Sequence, residues 1–243
     1  GVPKYEGDLG LEESDGIEWL AAVPVAEAEP TTSSGRRKAV VTPVRRVGSA
    51  QRLMPTEALR LRGRHNALNA LAALSLVQAL GGGLAAMLHA LRDYGGEPHR
   101  CEFVRNIAGV DFVNDSKGTN VGATVAALEG MGRPVVLIAG GLGKGQDFGP
   151  LANAIRRHAK AVVLIGQDAP LIRDALGSGG VEQHAADSME AAVQVAMDAA
   201  ATGDVVLLSP ACASMDMFRN YPHRGECFVE AVKELALDRG EVA

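Results

Sequence analysis

Unbroken apolar runs punctuate the second part of the chain. Three are Val135-Val136-Leu137-Ile138-Ala139, Ala161-Val162-Val163-Leu164-Ile165 and Val205-Val206-Leu207-Leu208, and a further apolar, strand-like run precedes Asn114. Each is short, is followed by small or polar residues, and then gives way to a helical pattern. Strands that are apolar on both sides belong to a parallel sheet covered on both faces. Strand and helix alternate from there to the C-terminus, which predicts a doubly wound, mainly parallel α/β sheet with right-handed crossovers. Alanine-rich stretches such as Met189 to Ala201 supply the small helix faces that pack closely on such a sheet.

Upstream the pattern changes. From Gly1 to about Leu61 the apolar runs Trp19 to Val25 and Ala39 to Val44 are separated by Pro30-Thr31-Thr32-Ser33-Ser34-Gly35, which predicts short antiparallel strands joined by a loop. Asn66 to Leu80 is rich in helix formers and is stopped by Gly81-Gly82-Gly83, and a second helix is expected over Leu84 to Tyr94. Gly95-Gly96-Glu97-Pro98 cannot extend a helix and marks a boundary, giving expected units of 1–97 and 98–243.

With 243 residues and 47% hydrophobic content, the chain has material for two modest cores. A net charge of −5 argues against binding nucleic acid, which needs a basic face. Cys101, Cys212 and Cys227 are odd in number and lack metal-ligand spacing, which favours free thiols in a reduced cytoplasmic setting over disulfides or zinc. No apolar run approaches the ~20 residues of a membrane-spanning helix, and no signal peptide opens the sequence, so a soluble intracellular protein is expected. The first residues, Gly1-Val2-Pro3-Lys4-Tyr5, read as a piece of something longer.

The densest chemistry lies in Asn114-Asp115-Ser116-Lys117-Gly118-Thr119-Asn120, a strand-to-helix turn. Asp115 suits a ribose or metal, Lys117 a carboxylate or phosphate, and Thr119 a helix cap or a substrate contact; a plain turn capped by Thr119 or Asn120 is the simpler alternative. Gly140-Gly141-Leu142-Gly143-Lys144 is a glycine-rich loop that brings Lys144 to a strand end. It fails as a phosphate loop, because Ile138 stands where the first glycine is required and Gly145 follows the lysine. No G-x-x-x-x-G-K-[ST] occurs elsewhere in the chain. Ser209-Pro210-Ala211-Cys212-Ala213-Ser214 crowds hydroxyls and free N–H groups into a third such turn, with Ser214 able to hold a carboxylate. It has no G-x-S-x-G elbow, and Cys212 is a poor nucleophile candidate. Lys117, Lys144 and Ser214 are therefore expected at one edge of one sheet. Arg100, beside Pro98 and His99, suits a phosphate. Asn66 and Asn69 share a helix face and suit a base edge, with Leu68 and Leu71 turned roughly the other way; an N-cap is the alternative use of Asn66.

Taken in order, His65-Asn66-Ala67-Leu68-Asn69, Pro98-His99-Arg100, Asn114 to Asn120, Gly140 to Lys144 and Leu208 to Ser214 resemble the Mur ligases, and the Ser-Pro-Ala-Cys-Ala-Ser segment resembles their D-glutamate-adding members. The resemblance covers nearly all of the chain from about Arg62. It implies the end of a central ATPase domain over 1–97 and a C-terminal Rossmann-like domain over 98–243. It further implies an ATP-dependent reaction, with Mg2+ held elsewhere, that joins D-glutamate to UDP-N-acetylmuramoyl-L-alanine through an acyl phosphate. By that resemblance Asn66, Asn69, Arg100 and Asp115 meet the nucleotide, while Lys117, Thr119, Lys144, Ser214, the backbone at Met215, and Tyr221 meet D-glutamate. Leu142, Gly118 and Tyr221 depart from the residues usual in the family at their positions, an acid, an alanine and a phenylalanine. Another amide ligase of the superfamily, such as folylpolyglutamate synthase, and a non-catalytic nucleotide or amino-acid binding module are the alternatives.

Overall fold

The structure, a computed structural model, describes residues 1–25, 45–61 and 63–241. The strand expected over Ala39 to Val44 lies outside them. The chain divides into two compact units, Gly1–Gly95 and Gly96–Ala243.

In the first unit, β1 (Leu9–Ser14) and β2 (Ile17–Ala22) form an antiparallel hairpin, and β3 (Gln51–Pro55) pairs with the other side of β2. The hairpin turns at Asp15-Gly16, both at positive φ, the conformation a two-residue hairpin turn requires. Helix α1 (Arg64–Ala79) then packs Ala67, Ala70, Leu71 and Leu74 against Leu11, Leu20 and Met54, and α2 (Leu84–Asp93) follows. Leu68 and Leu71, expected on one side, part ways: Leu71 is buried and Leu68 is 50% exposed, because the buried stripe runs through Ala67 and its partners three, four and seven residues on. Nor does Asn66 cap the helix. Gly63 occupies the N-cap position and α1 begins at Arg64, which places Asn66 inside the first turn.

The second unit is built on six strands in the order β4-β5-β9-β6-β7-β8. These are β4 (Glu102–Ile107), β5 (Val110–Asn114), β6 (Val135–Gly140), β7 (Ala159–Ile165), β8 (Glu182–Ala185) and β9 (Val205–Leu208). Strands β5 to β8 are parallel as paired. The strict alternation expected from the boundary onward fails at its start, since β4 and β5 form an antiparallel hairpin through Ala108-Gly109. Arg105, Asn106 and a 60% exposed Phe103 dilute the apolar pattern of β4, a strand at the edge of the sheet.

Helices α3 (Val121–Met131), α4 (Gly149–His158) and α5 (Ala169–Leu176) cover one face; α6 (Met189–Ala199) and α7 (Tyr221–Asp238) cover the other. The strand side chains alternate between these two cores. Val135, Leu137 and Ala139 join the first, while Val136 and Ile138 join the second; in β9, Val205 and Leu207 oppose Val206 and Leu208 in the same way. Both faces are covered by helices, and the two innermost strands, β6 and β9, carry no polar residue. Among the described residues no helix is long and apolar enough to cross a membrane.

Candidate functional site at the strand ends

The last strand, β9, lies between β5 and β6. That order sets side by side the three loops that follow these strands and carry Lys117, Lys144 and Ser214. Backbone hydrogen bonds then stitch them together. Leu142 and Ala213 exchange both N–H···O bonds at 2.9 Å, Gly140 N donates to Pro210 O at 2.9 Å, and Ala211 N donates to Gly118 O at 2.9 Å. Glycine is obligatory at 140 and 141. Both have φ near +126°, and a Cβ would lie 1.9 Å from the Ile165 carbonyl in one case and 2.3 Å from that of Ala213 in the other.

Each expected residue has a defined setting. Lys117 Nζ sits 3.9 Å from the centroid of the Tyr221 ring, an arrangement in which the ring face attracts the ammonium. Thr119 does not cap α3. Asn120 is the N-cap, its side chain accepting from Ala123 N at 2.9 Å, which frees the Thr119 hydroxyl from that duty. Lys144 is exposed, with a backbone φ of 55° that is left-handed and unusual for a residue with a side chain. Ser214 is 3% exposed, and its carbonyl accepts from Met217 N and Phe218 N. Met215 is 66% exposed. Tyr221 opens α7, whose cap Asn220 accepts from His223 N at 2.8 Å.

Asp115 lies inward. Its carboxylate accepts from Ser209 Oγ at 2.7 Å and from Cys101 N at 3.2 Å, and the residue is only 7% exposed. Burial raises its pKa above the ordinary value, against the opposing effect of these hydrogen bonds. Ser209 is missing from the expected site residues although it links Asp115 to Thr124, whose Oγ1 lies 3.0 Å from its hydroxyl. Burial also pushes the thiols of Cys101 and Cys212 up to about 12. Neither forms a thiolate at neutral pH, which removes Cys212 as a nucleophile.

Arg100 is exposed at the turn before β4. The turn is fastened by its neighbour His99, whose carbonyl accepts from Lys117 N at 3.0 Å and whose Nδ1 lies 3.0 Å from Asn114 Nδ2. Asn66 and Asn69 belong to the first unit, where they line a cavity of about 120 Å³ with Leu59, Leu61, Ala70, Ala73, Leu91 and Tyr94. Among the described residues no group of three His, Cys, Asp or Glu is placed to hold a metal ion.

Sequence reasoning missed Arg224. It is 1% exposed, and it donates to the Ser116 hydroxyl, the Ser116 carbonyl and the Cys212 carbonyl, so it ties the loop after β5 to the loop after β9. Burial brings its pKa down to about 10, which leaves it charged at neutral pH. In the sequence it is the arginine of a polar helix start, with Arg219 just before the helix, and carries no signal of burial. Gln146 and Asp168 were missed for the same reason: both look like solvated loop residues, and both hold backbone groups of this site.

The family Mur ligase, glutamate ligase domain, matches residues 99–212. Over 242 residues the chain is 60% identical to the UDP-N-acetylmuramoylalanine–D-glutamate ligase of Bordetella avium, an alignment that covers 99% of this chain and 47% of that protein. The chain thus spans about half the length of the curated relatives it matches. Among solved structures, a MurF ligase from Thermotoga maritima in complex with ADP matches with a TM-score of 0.56 at 15% identity, over 95% of this chain and 47% of that one. A UDP-N-acetylmuramate-alanine ligase from the same organism gives 0.55 at 23% identity, over 73% of this chain and 40% of that one. These two support the fold; the sequence relationship is carried by the Bordetella protein and its like. On that relationship the chain is similar, over nearly its whole length, to about half of a Mur ligase.

Proposed function

We propose that this chain carries the amino-acid site, and part of the nucleotide site, of an ATP-dependent ligase that joins D-glutamate to UDP-N-acetylmuramoyl-L-alanine in peptidoglycan synthesis. The observation that carries the reading is the insertion of β9 between β5 and β6, which gathers the loops of Lys117, Lys144 and Ser214 at one end of the sheet. D-Glutamate brings two carboxylates, and two ammonium groups with hydroxyl and N–H donors are the matching chemistry. Lys117 is held in advance by the Tyr221 ring. In this reading Lys117, Thr119, Lys144, Ser214 and the backbone of Met215 hold the amino acid, with Tyr221 beside its side chain.

The nucleotide contacts in this reading are Asn66, Asn69, Arg100 and Asp115. The cavity under Asn66 and Asn69 is lined mostly by apolar side chains with two carboxamides, which suits the flat face and polar edge of a purine. Arg100 would meet phosphate. Asp115 would meet a ribose hydroxyl. Mg2+ accompanies ATP in such reactions, and no residue of this chain is assigned to hold it.

The reaction asks for placement more than for unusual side-chain chemistry. ATP transfers its γ-phosphoryl group to the carboxylate of the muramoyl-L-alanine, releasing ADP. The amine of D-glutamate then attacks the acyl phosphate carbon, and the tetrahedral intermediate expels phosphate as the amide forms. Holding the amine in line and neutralising the substrate carboxylates are what the residues here supply. The groups that act on the β- and γ-phosphates belong, in this reading, to the half of the relatives that the chain does not match.

A chimera tests the proposal. The matching segment of the Bordetella avium ligase is replaced by this chain, and formation of the D-glutamyl product is followed with release of phosphate. The reading predicts product that depends on ATP and on D-glutamate. A folded chimera that makes none, with D-glutamate or any other amino acid, points instead to a binding module, and one that prefers another amino acid points to a different amide ligase.

A further inference from the structure

Gln146 lies two residues beyond Lys144 in a loop that reads as a plain glycine-rich turn. Its Oε1 accepts from the backbone N–H of Val121 at 2.9 Å, and its Nε2 donates to the carbonyl of Ala211 at 2.7 Å. Val121 is the first residue of α3, immediately after Thr119 and Asn120, and its N–H is among those a helix start leaves without a partner in its own helix. Ala211 stands three residues before Ser214. It is fully buried and held at φ 60°, a left-handed conformation for a residue with a Cβ, and its own N–H goes to Gly118. One carboxamide on the Lys144 loop therefore grips both of its neighbours.

The grip depends on the chemistry of the side chain. A carboxamide offers an acceptor and a donor at once. A carboxylate at the same place would still accept from Val121 but would set a second oxygen against the Ala211 carbonyl. An apolar side chain would leave the two backbone groups to find water and would release Ala211 from one of its two restraints.

We propose that Gln146 is a positioning residue for the acidic-substrate site: without touching substrate, it fixes the spacing of Lys117, Lys144 and Ser214. The inference rests on the D-glutamate reading given above and adds to it the residue that sets the geometry. It separates Gln146 from a residue that merely stabilises the fold, because the loss should appear in substrate affinity while the sheet beneath stays intact.

The test uses amide NMR spectra of the 243-residue chain titrated with D-glutamate, for the wild type, Gln146→Met and Gln146→Glu. In the wild type, the amides of Lys117, Lys144 and Met215 should shift with a common midpoint. Gln146→Met should weaken that midpoint about tenfold, the scale of two lost hydrogen bonds, while the amides of β6 and β7 keep their positions. Gln146→Glu, which retains the Val121 contact, should fall between the two. A Gln146→Met protein whose Val121 amide has moved but whose midpoint matches the wild type would overturn the inference; if that variant loses native dispersion, an unchanged midpoint in Gln146→Glu overturns it instead. A wild-type chain that shows no response to D-glutamate would overturn the underlying reading, and the inference with it.

Discussion

Arg224 donates to Ser116 twice, from Nε to the hydroxyl at 3.0 Å and from Nη2 to the backbone carbonyl at 2.8 Å. A third bond reaches the Cys212 carbonyl at 3.1 Å. A fully buried cation is thus satisfied by neutral acceptors on two loops, and among the described residues no carboxylate forms an ion pair with it. The Ser116 hydroxyl passes the connection on by donating to the carbonyl of Tyr221 at 2.8 Å.

Arg224→Met should therefore destabilise the second unit by on the order of 3 kcal/mol, since it leaves buried carbonyls without donors. Arg224→Lys keeps the charge but lacks the planar fork, and should recover only part of that loss. Urea unfolding monitored by far-UV circular dichroism measures both. Equal stability of Arg224→Met and wild type would show that the guanidinium does not hold the loops.

Asp115 makes an opposite contribution at neutral pH. Its folded pKa is raised by burial, so in the range between 3.8 and that raised value the folded state binds more protons than the unfolded one. Stability from this group therefore falls as pH rises through that window, and the penalty is complete above it. Asp115→Asn removes the titration. The stability of the wild type minus that of Asp115→Asn should decline from pH 4 towards neutrality, measured by urea unfolding at a series of pH values. A difference that grows with pH would mean that hydrogen bonds from Ser209 and Cys101 outweigh burial.

Asp168 stands at the N-cap position of α5 yet makes no capping bond with its side chain. Its carboxylate accepts instead from Gly143 N at 2.7 Å, and its own N–H donates to Gly141 O at 2.9 Å. An aspartate that would ordinarily cap its own helix is thus spent on the residue before Lys144, whose backbone is left-handed. In the chimeric ligase, Asp168→Ala should raise the KM for D-glutamate by roughly tenfold with little change for ATP, as one charge-assisted hydrogen bond is lost. Asp168→Asn, which retains an acceptor oxygen, should restore much of the affinity. Steady-state kinetics with each substrate varied in turn decides the matter; equal losses for D-glutamate and ATP would indicate a general structural defect.

The parallel strands β6, β7 and β9 were legible because they are buried on both sides and keep unbroken apolar runs, as in Val135 to Ala139, whereas β8, the polar Glu182–Ala185 at the other edge, carries no such run. Strand β4 was not, since an edge strand with Arg105, Asn106 and an exposed Phe103 carries no such run. The position of β9 between β5 and β6 is set by packing among segments far apart in the chain, and local pattern holds no trace of it. Candidate residues that differ from their surroundings, such as Lys117 and Lys144 at strand ends, could be assigned to loops at one edge of the sheet. Arg224, Gln146 and Asp168 could not be picked out, because their partners are backbone groups of other loops, and a polar side chain that serves a distant carbonyl or N–H has the same sequence signature as one that serves water.

The central claim is that Lys144 and Lys117 serve the amino acid while Arg100 serves the nucleotide. The most direct test is the kinetics of Lys144→Ala and Arg100→Ala in the chimeric ligase, with D-glutamate and ATP varied separately. Removing the Lys144 ammonium costs a charge-assisted contact of about 1.5–3 kcal/mol, and the KM for D-glutamate should rise about 10- to 150-fold while that for ATP stays within a few-fold of its starting value. Arg100→Ala should do the reverse. Unchanged D-glutamate kinetics in a folded Lys144→Ala enzyme would contradict the account.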